Sequence, residues 1–304
     1  DLYGKGRGAA TRLQKHCAMS VLGDRTLIDG CDFKVHAFGH GIHIHGSQDT
    51  VVRNVTMEGV LRLTDEIYRE KTGLAAKYDH KMMYPPWLKG RPIPKGKMLS
   101  LTEDGIRAYL DGSDRDGNNR RTGHITVENC VVKRMRGGIT ITMAKSGTVT
   151  DCVVLESGGH AYSIPPNGVV RDCKGDAGFS PLLSMPYSNR GNADIELELV
   201  AAEEELGDHP LAKVVGNGHR IRITSSGDGR PETLRPIILG TTGDRYTEEN
   251  TDLKALRRHS AASRITLVNE TPHPVHLTRF ASNNEVTTRG RVKDEGVDNE
   301  QKKP

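Results

Sequence analysis

Three histidines lie close together in the stretch HGIHIHG, at positions 40, 43 and 45. Ile42 and Ile44 alternate with His43 and His45, which is typical of a β-strand with one apolar face. An imidazole can serve as a general acid or base, as a metal ligand or as a hydrogen-bond partner of a substrate. The role of these histidines therefore depends on the side chains that neighbouring strands place beside them.

A second stretch, DGIRAYLDG, carries an arginine and a tyrosine with the same alternation. When the two stretches are aligned on the glycine before each strand, His43 falls beside Arg107 and His45 falls beside Tyr109. Because stacked strands lie about 4.8 Å apart, we predict a compact outer patch made of these four side chains.

The same alignment continues into two later strands. It predicts that inward positions pair Ile139 with His160 and Ile141 with Tyr162, and that outward positions pair Thr140 with Ala161 and Thr142 with Ser163. Lys145 follows in the turn after the strand that contains Ile139 and Ile141, and Arg134 and Arg136 precede that strand. These three cations would enlarge the polar patch.

The strands belong to a repeat. Gap-free copies begin at Ile125, Thr148 and Val169, and earlier copies fit from Thr26 and Thr50. Each copy has a short strand ending in Asn or Asp, a turn, and a second alternating strand. Coils of roughly 21–24 residues with this content predict an all-β fold, a right-handed parallel β-helix.

Two ladders of side chains support the stacking. A turn ladder, suited to bonds between side chain and backbone, contains Asp29, Asn54, Asn129, Asp151 and Asp172. The next position gives Cys130, Cys152 and Cys173, which we interpret as a structural stack of small apolar side chains. No Cys-x-x-Cys spacing occurs in the chain, which argues against a metal role for the cysteines.

We predict a single β-helix domain over residues 1–304, with an insertion at 61–124 and a polar C-terminal tail at 285–304. The insertion leaves the repeats beside the outer patch, and long insertions in a solenoid often build a binding cleft. Residues 69–97 contain eight Lys or Arg and two acidic residues. This basic segment, which includes Lys89 and Arg91, is either a solvated loop or a wall that attracts a polyanion.

Bulk properties restrict the class of partner. The net charge of +4 suits an anionic partner without demanding one. No apolar run approaches the roughly 20 residues of a membrane span. We expect a monomer with neither a membrane span nor a nucleic-acid partner.

The stretches DGIRAYLDG, RRTGHITVENCVVKRMRGGI and GDHPLA resemble alginate lyases of polysaccharide lyase family 31, and the similarity covers most of residues 20–225. The resemblance implies cleavage of an acidic polysaccharide with a Tyr and a Lys as acid and base, for which Tyr109 and Lys145 are the matching residues. It also implies an extracellular or periplasmic protein, because the substrate is a polymer.

The residue types in the outer patch also suit β-elimination, independently of the family resemblance. β-Elimination in a uronan removes the proton on C5 and expels the O4 linkage, and Arg107 can neutralise the adjacent carboxylate. The base is Lys145, a histidine such as His45, or Tyr109 as phenolate, while Tyr109 also suits the acid. We expect substrate contacts from His43, His40, Arg136, Arg134, Lys89 and Arg91, and no cofactor.

Other interpretations remain open from the sequence. A uronan C5-epimerase would use the same residues, whereas a glycoside hydrolase would need close carboxylates, for which Asp104, Asp111, Asp114 and Asp116 are the candidates. A zinc or calcium site at the histidines, with Asp104 beside His40, is a further alternative. A non-catalytic glycan-binding solenoid or an ordinary polar outer face would need no such chemistry.

Overall fold

The computed structural model describes residues 17–36, 39–63, 65, 69, 98–100, 102–113, 119–226, 233–241 and 252–304. Its strands are short and their side chains alternate between buried and exposed, as expected when one face of every strand packs inward. Within this part of the chain no helix is long and apolar enough to cross a membrane.

The first long sheet is parallel and carries the candidate site. Its strands stack in the order β1 (Met19–Val21), β4 (Ile42–Ile44), β9 (Ile106–Ala108), β14 (Gly137–Thr140), β17 (His160–Ser163), β19 (Leu183–Met185), β21 (Ala212–Val214), β24 (Ile237–Leu239), β27 (Val275–Leu277) and β30 (Val292–Asp294).

The second long sheet is also parallel. Its main path is β2 (Leu27–Asp29), β5 (Thr50–Arg53), β12 (His124–Glu128), β15 (Ser146–Thr150), β18 (Val169–Gly175), β20 (Asp194–Leu199), β23 (Arg220–Ser225), β26 (Thr266–Asn269), β29 (Glu285–Thr288) and β31 (Glu300–Lys302). A branch of β3 (Asp32–Lys34), β6 (Thr56–Glu58), β13 (Val131–Lys133) and β16 (Val153–Leu155) joins it at β18.

Shorter elements complete the coils. A small parallel sheet contains β22 (Gly216–Asn217), β25 (Ala262–Ser263) and β28 (Ala281–Ser282), and two antiparallel pairs are β7 (Leu61–Leu63) with β8 (Met98–Ser100) and β10 (Asp111–Ser113) with β11 (Asn119–Arg121). Helix α1 (Leu253–Ser260) begins after Asp252, whose side chain accepts hydrogen bonds from two amides of the first turn.

Successive coils in sequence are neighbours in space, so the fold is a single parallel β-helix, as the repeat predicts. One continuous apolar core runs along its axis. It includes Ile42, Ile106, Ile139, Cys152 and Ile195, each without exposed surface.

The turn ladder exists with one correction. Asn54, Asn129, Asp151 and Asp172 all have the left-handed backbone conformation at the same point of successive coils. Asp29 was predicted on this ladder but pairs with Arg53, one position earlier. Gly30 takes the left-handed position of that coil, because glycine adopts a positive φ more easily than Asp.

The predicted register of the fourth site strand is wrong by two residues. Ile139 pairs with Tyr162, and Thr140 pairs with Ser163, whereas His160 pairs with Gly137. Alignment on the glycine pairs was misleading because Gly158 and Gly159 lie in the preceding turn rather than at the start of the strand. Burial of the large Tyr162 ring in the core fixes the observed register.

The tail, and the part of the insertion that the structure describes, contain more β-strands than the sequence indicated. The 61–124 segment rejoins the first sheet through β9, and the β7–β8 and β10–β11 pairs lie on either side of that strand in sequence. Residues 285–304 are largely polar, yet β29, β30 and β31 extend both long sheets. The sequence of this terminal coil resembles a disordered tail because most of its residues are polar, and they are polar because they are exposed in the structure.

Candidate functional site

Strands β4 and β9 form the centre of the candidate site. Their backbones pair His43 with Arg107, and the inward residues on both sides of this pair are fully buried. The amide of Tyr109 donates to the carbonyl of Ile44 at 2.9 Å, which extends the pairing beyond the strand. The predicted juxtaposition of these two strands is therefore confirmed.

Three aromatic rings pack together on the outer side. The imidazoles of His43 and His45 are stacked, with centroids 4.5 Å apart and planes inclined by 15°. The Tyr109 ring meets His43 edge-on at 4.7 Å. The guanidinium carbon of Arg107 lies 5.0 Å from the centroid of the Tyr109 ring, within cation–π range. All four side chains of the predicted patch are thus in one cluster, and all are half-buried.

Beneath this cluster lies a buried acidic pair, Glu103 and Asp104. Arg136 bridges them, with Nη1 3.3 Å from Glu103 Oε1 and Nη2 3.2 Å from Asp104 Oδ1. Arg107 Nη1 lies 3.4 Å from Asp104 Oδ2, so the Asp104 carboxylate sits between two guanidinium groups. Both acidic side chains are only 2% exposed, whereas Arg107 is 17% and Arg136 is 32% exposed. The arginines therefore connect a buried negative layer to the surface.

His40 lies between the acidic pair and Tyr109. Its Nε2 is 3.1 Å from the phenolic oxygen of Tyr109 and 3.4 Å from Glu103 Oε2. Its Nδ1 accepts a hydrogen bond from the backbone amide of Asp104 at 3.1 Å. His40 was predicted to contact substrate, but its side chain is buried and contacts Tyr109 instead.

Burial and charge act against each other on the pKa values of the site. Burial alone would raise the pKa of the Asp104 carboxyl, but the charges of Arg136 and Arg107 outweigh it and hold the pKa well below its usual range. Burial would likewise lower the pKa of Arg136, yet the nearby carboxylates of Asp104 and Glu103 raise it. Burial also lowers the pKa of His45, which favours its neutral form.

A fourth histidine, His160 on β17, extends the site by two coils beyond β9. Its Nε2 lies 2.9 Å from the hydroxyl of Thr140. Burial lowers the pKa of His160 to about 4, with Asp104 opposing that effect and Arg107 and Arg136 adding to it. The imidazole is therefore neutral at pH 7.

Gly137, the register partner of His160, makes room for the carboxylate. A Cβ atom at Gly137 would lie 2.5 Å from Asp104 Oδ1, closer than real Cβ contacts allow. Glycine at this position lets the Asp104 carboxylate reach Arg136.

The remaining predicted residues are less central. Lys145 is exposed in the turn after β14, where its amide donates to the carbonyl of Thr122. Arg134 forms exposed ion pairs with Glu58 and Glu156. Lys89 and Arg91, and with them nearly all of the basic segment, lie outside the described residues.

Sequence reasoning missed the roles of Glu103, Asp104 and His160. The sequence suggests Asp104 only as a metal ligand or a hydrolase carboxylate, and it predicts an inward position for His160. Two consecutive acids directly before the apolar strand of DGIRAY were the available signal, because such a position is covered by neighbouring coils and its charges need partners.

Among the described residues, no group of three or more His, Cys, Asp and Glu side chains has the arrangement needed to hold a metal ion. No protein-family model matches the chain, and a search of the curated proteins finds no significant match. Function must therefore be inferred from the site itself.

Proposed function

We propose that this protein is a polysaccharide lyase that cleaves an acidic uronic-acid polymer, such as alginate, by β-elimination. The observation that carries the proposal is the half-buried cluster in which Arg107 lies over the ring of Tyr109. Arg107 and Arg136 both form ion pairs with the buried Asp104, which holds them in place. The cluster combines fixed positive charge with a group able to transfer a proton.

The first requirement of β-elimination is a neutralised carboxylate next to C5. Arg107 directs Nη1 to Asp104 and its Nε is buried, so we expect Nη2 to meet a carboxylate of the substrate. Its orientation is fixed by the ion pair and the Tyr109 ring before substrate binds. Preorganised charge in a partly desolvated site favours the enolate-like transition state more than flexible surface charge does.

The second requirement is proton transfer. The phenolic group of Tyr109 lies next to Arg107 and can donate to the O4 leaving group, or accept the C5 proton when ionised. His45 is an additional base, since burial lowers its pKa and favours the neutral form. Lys145 follows on the adjacent coil, and its amide bonds to Thr122, whose own amide bonds to the residue after Tyr109.

The geometry gives less support to a hydrolase. Glu103 and Asp104 are buried and engaged with Arg136, so neither is free to protonate a glycosidic oxygen. Asp111 is exposed and accepts a hydrogen bond from Asn119, and Asp114 and Asp116 lie outside the described residues.

The proposal includes an extracellular or periplasmic location, because the proposed substrate is a polymer.

The test is incubation of the purified protein with polymannuronate, polyguluronate, polygalacturonate and a neutral glucan. A lyase produces a C4–C5 double bond, which is followed by its ultraviolet absorbance. Arg107→Ala should abolish product formation, whereas Arg171→Ala, which removes an exposed ion pair with Asp194 on the other long sheet, should leave it intact.

Absence of unsaturated product from every uronan would overturn the proposal. Exchange of the C5 proton with solvent deuterium, without any chain cleavage, would identify an epimerase instead. Binding without either reaction would identify a glycan-binding solenoid.

A further inference from the structure

The environment of His40 determines which of its nitrogens carries the proton. Nδ1 faces the backbone amide of Asp104 at 3.1 Å, and an amide nitrogen can only donate. The Asp104 carboxylate is also near Nδ1, but its Oδ2 is 3.6 Å away, beyond hydrogen-bond distance. A proton on Nδ1 would point at the amide hydrogen, so Nδ1 acts as the acceptor. The neutral imidazole therefore carries its proton on Nε2.

This tautomer directs an N–H group at Tyr109. The Nε2 atom lies 3.1 Å from the phenolic oxygen, and the two rings meet edge-on, with planes inclined by 68°. Glu103 Oε2 lies 3.4 Å from the same nitrogen, which further favours a proton there.

We propose that His40 is a positioning residue that donates Nε2–H to the phenolic oxygen of Tyr109 and thereby sets the direction in which the Tyr109 O–H points. The donor serves both states of Tyr109. When the phenol is protonated, its own O–H is left to point away from His40; when it is ionised, the oxygen keeps a partner. The catalytic meaning of this bond rests on the proposed function, but the bond itself does not.

The donor is held in place from the other side of the ring. The carboxylate of Asp104 is fixed by Arg136 and Arg107, and the backbone amide of the same residue fixes His40. Burial of His40 excludes water that could otherwise replace the imidazole as donor. The chain of contacts from Arg136 through Asp104 and His40 thus ends at Tyr109.

Two substitutions separate the two nitrogens of His40. His40→Asn keeps an acceptor near the position of Nδ1 and removes the donor to Tyr109. His40→Gln places an amide donor near the position of Nε2. His124→Asn is the matched control, because His124 bonds through Nδ1 to Ser146 on the other long sheet.

The measurement is fluorine NMR, at one fixed pH, of protein labelled with fluorotyrosine, with the Tyr109→Phe variant identifying the resonance. His40→Asn should shift the Tyr109 resonance, because the phenolic oxygen loses its hydrogen-bond donor. His40→Gln and His124→Asn should leave the resonance close to that of the unchanged protein. An unchanged resonance in His40→Asn, or equal shifts in His40→Asn and His40→Gln, would overturn the inference.

A second measurement uses the unsubstituted protein, so it does not depend on whether the His40 variants fold. Nitrogen NMR of the labelled histidines reports the tautomer of His40 in the intact protein, and a proton on Nδ1 would overturn the inference. Both measurements are made without substrate, so a failed lyase assay with the expected resonance shifts would overturn only the proposed function.

Discussion

Asp104 is the residue on which the charged layer of the candidate site converges. Its carboxylate contacts Arg107 and Arg136, and its amide orients His40. An isolated buried carboxylate would be costly, but two adjacent guanidinium groups keep it ionised. One side chain therefore controls the position of both arginines without itself reaching the surface.

At the same scale, Tyr109→Phe tests proton transfer directly. The substitution removes only the hydroxyl, and Tyr109 is half-buried on the outer face, so folding should be preserved. If this hydroxyl transfers a proton in the transition state, kcat should fall by about 10²–10⁴-fold. Steady-state kinetics on the best uronan, with circular dichroism as the control, gives the answer. Near-normal turnover by Tyr109→Phe would mean that His45 or Lys145, and not Tyr109, transfers the proton.

Arg136 and Arg134 form a matched pair for stability. Arg136→Met would leave Glu103 and Asp104 buried without their shared partner, so the free energy of unfolding should fall by about 3–5 kcal/mol. Arg134→Met breaks only exposed ion pairs and should cost about 1 kcal/mol or less. Urea unfolding of both variants measures the difference. Equal losses would mean that Arg136 does not neutralise the acidic pair.

At the scale of the element, the cysteine ladder tests what holds adjacent coils together. Cys130, Cys152 and Cys173 are buried with free thiols, and each thiol donates to the carbonyl two residues before it. Cys152→Ala should lower the free energy of unfolding by about 1–2 kcal/mol through a small cavity and leave kcat unchanged. Thermal unfolding and kinetics of the variant decide the matter, and a loss of kcat at unchanged stability would contradict a structural role.

The strand elements also show what a sequence can predict and what it cannot. Alternation aligned β4 with β9 correctly, because isoleucines on both strands mark the inward face. It failed at β17, where a glycine pair lies in the turn and Tyr162 replaces an aliphatic residue in the core. The contacts of Glu103 and Asp104 with Arg136 could not be predicted either, because a repeat pattern fixes which strands are neighbours but not how the turns before them fold.

At the scale of the whole molecule, buried neutral histidines set the response to acid. His219 is fully buried, its Nδ1 accepts from the amide of Ala193, and burial lowers its pKa to about 4; His160 has a similar value for the same reason. In the unfolded chain such groups gain a proton near pH 6.5. Stability present above pH 6.5 is therefore lost progressively as the pH falls towards 4.

His219→Asn keeps an acceptor for the Ala193 amide but cannot be protonated. Between pH 6.5 and 4 the variant should lose less stability than the unchanged protein, by on the order of 2–3 kcal/mol. The measurement is urea unfolding at a series of pH values in one buffer system. Parallel stability curves for the two proteins would show that His219 gains its proton without unfolding.

The antiparallel pair of β7 and β8 brings Leu61 opposite Ser100, so the chain leaves the coils and returns to them at almost the same place. The spacing between β4 and β9, and with it the contact of His43 and Arg107, depends on backbone bonds within the first sheet rather than on the length of the intervening chain. Closing a longer loop costs little additional entropy. The β7–β8 pair is therefore a position at which evolution or an engineer can exchange one inserted segment for another while β4 and β9 keep their places.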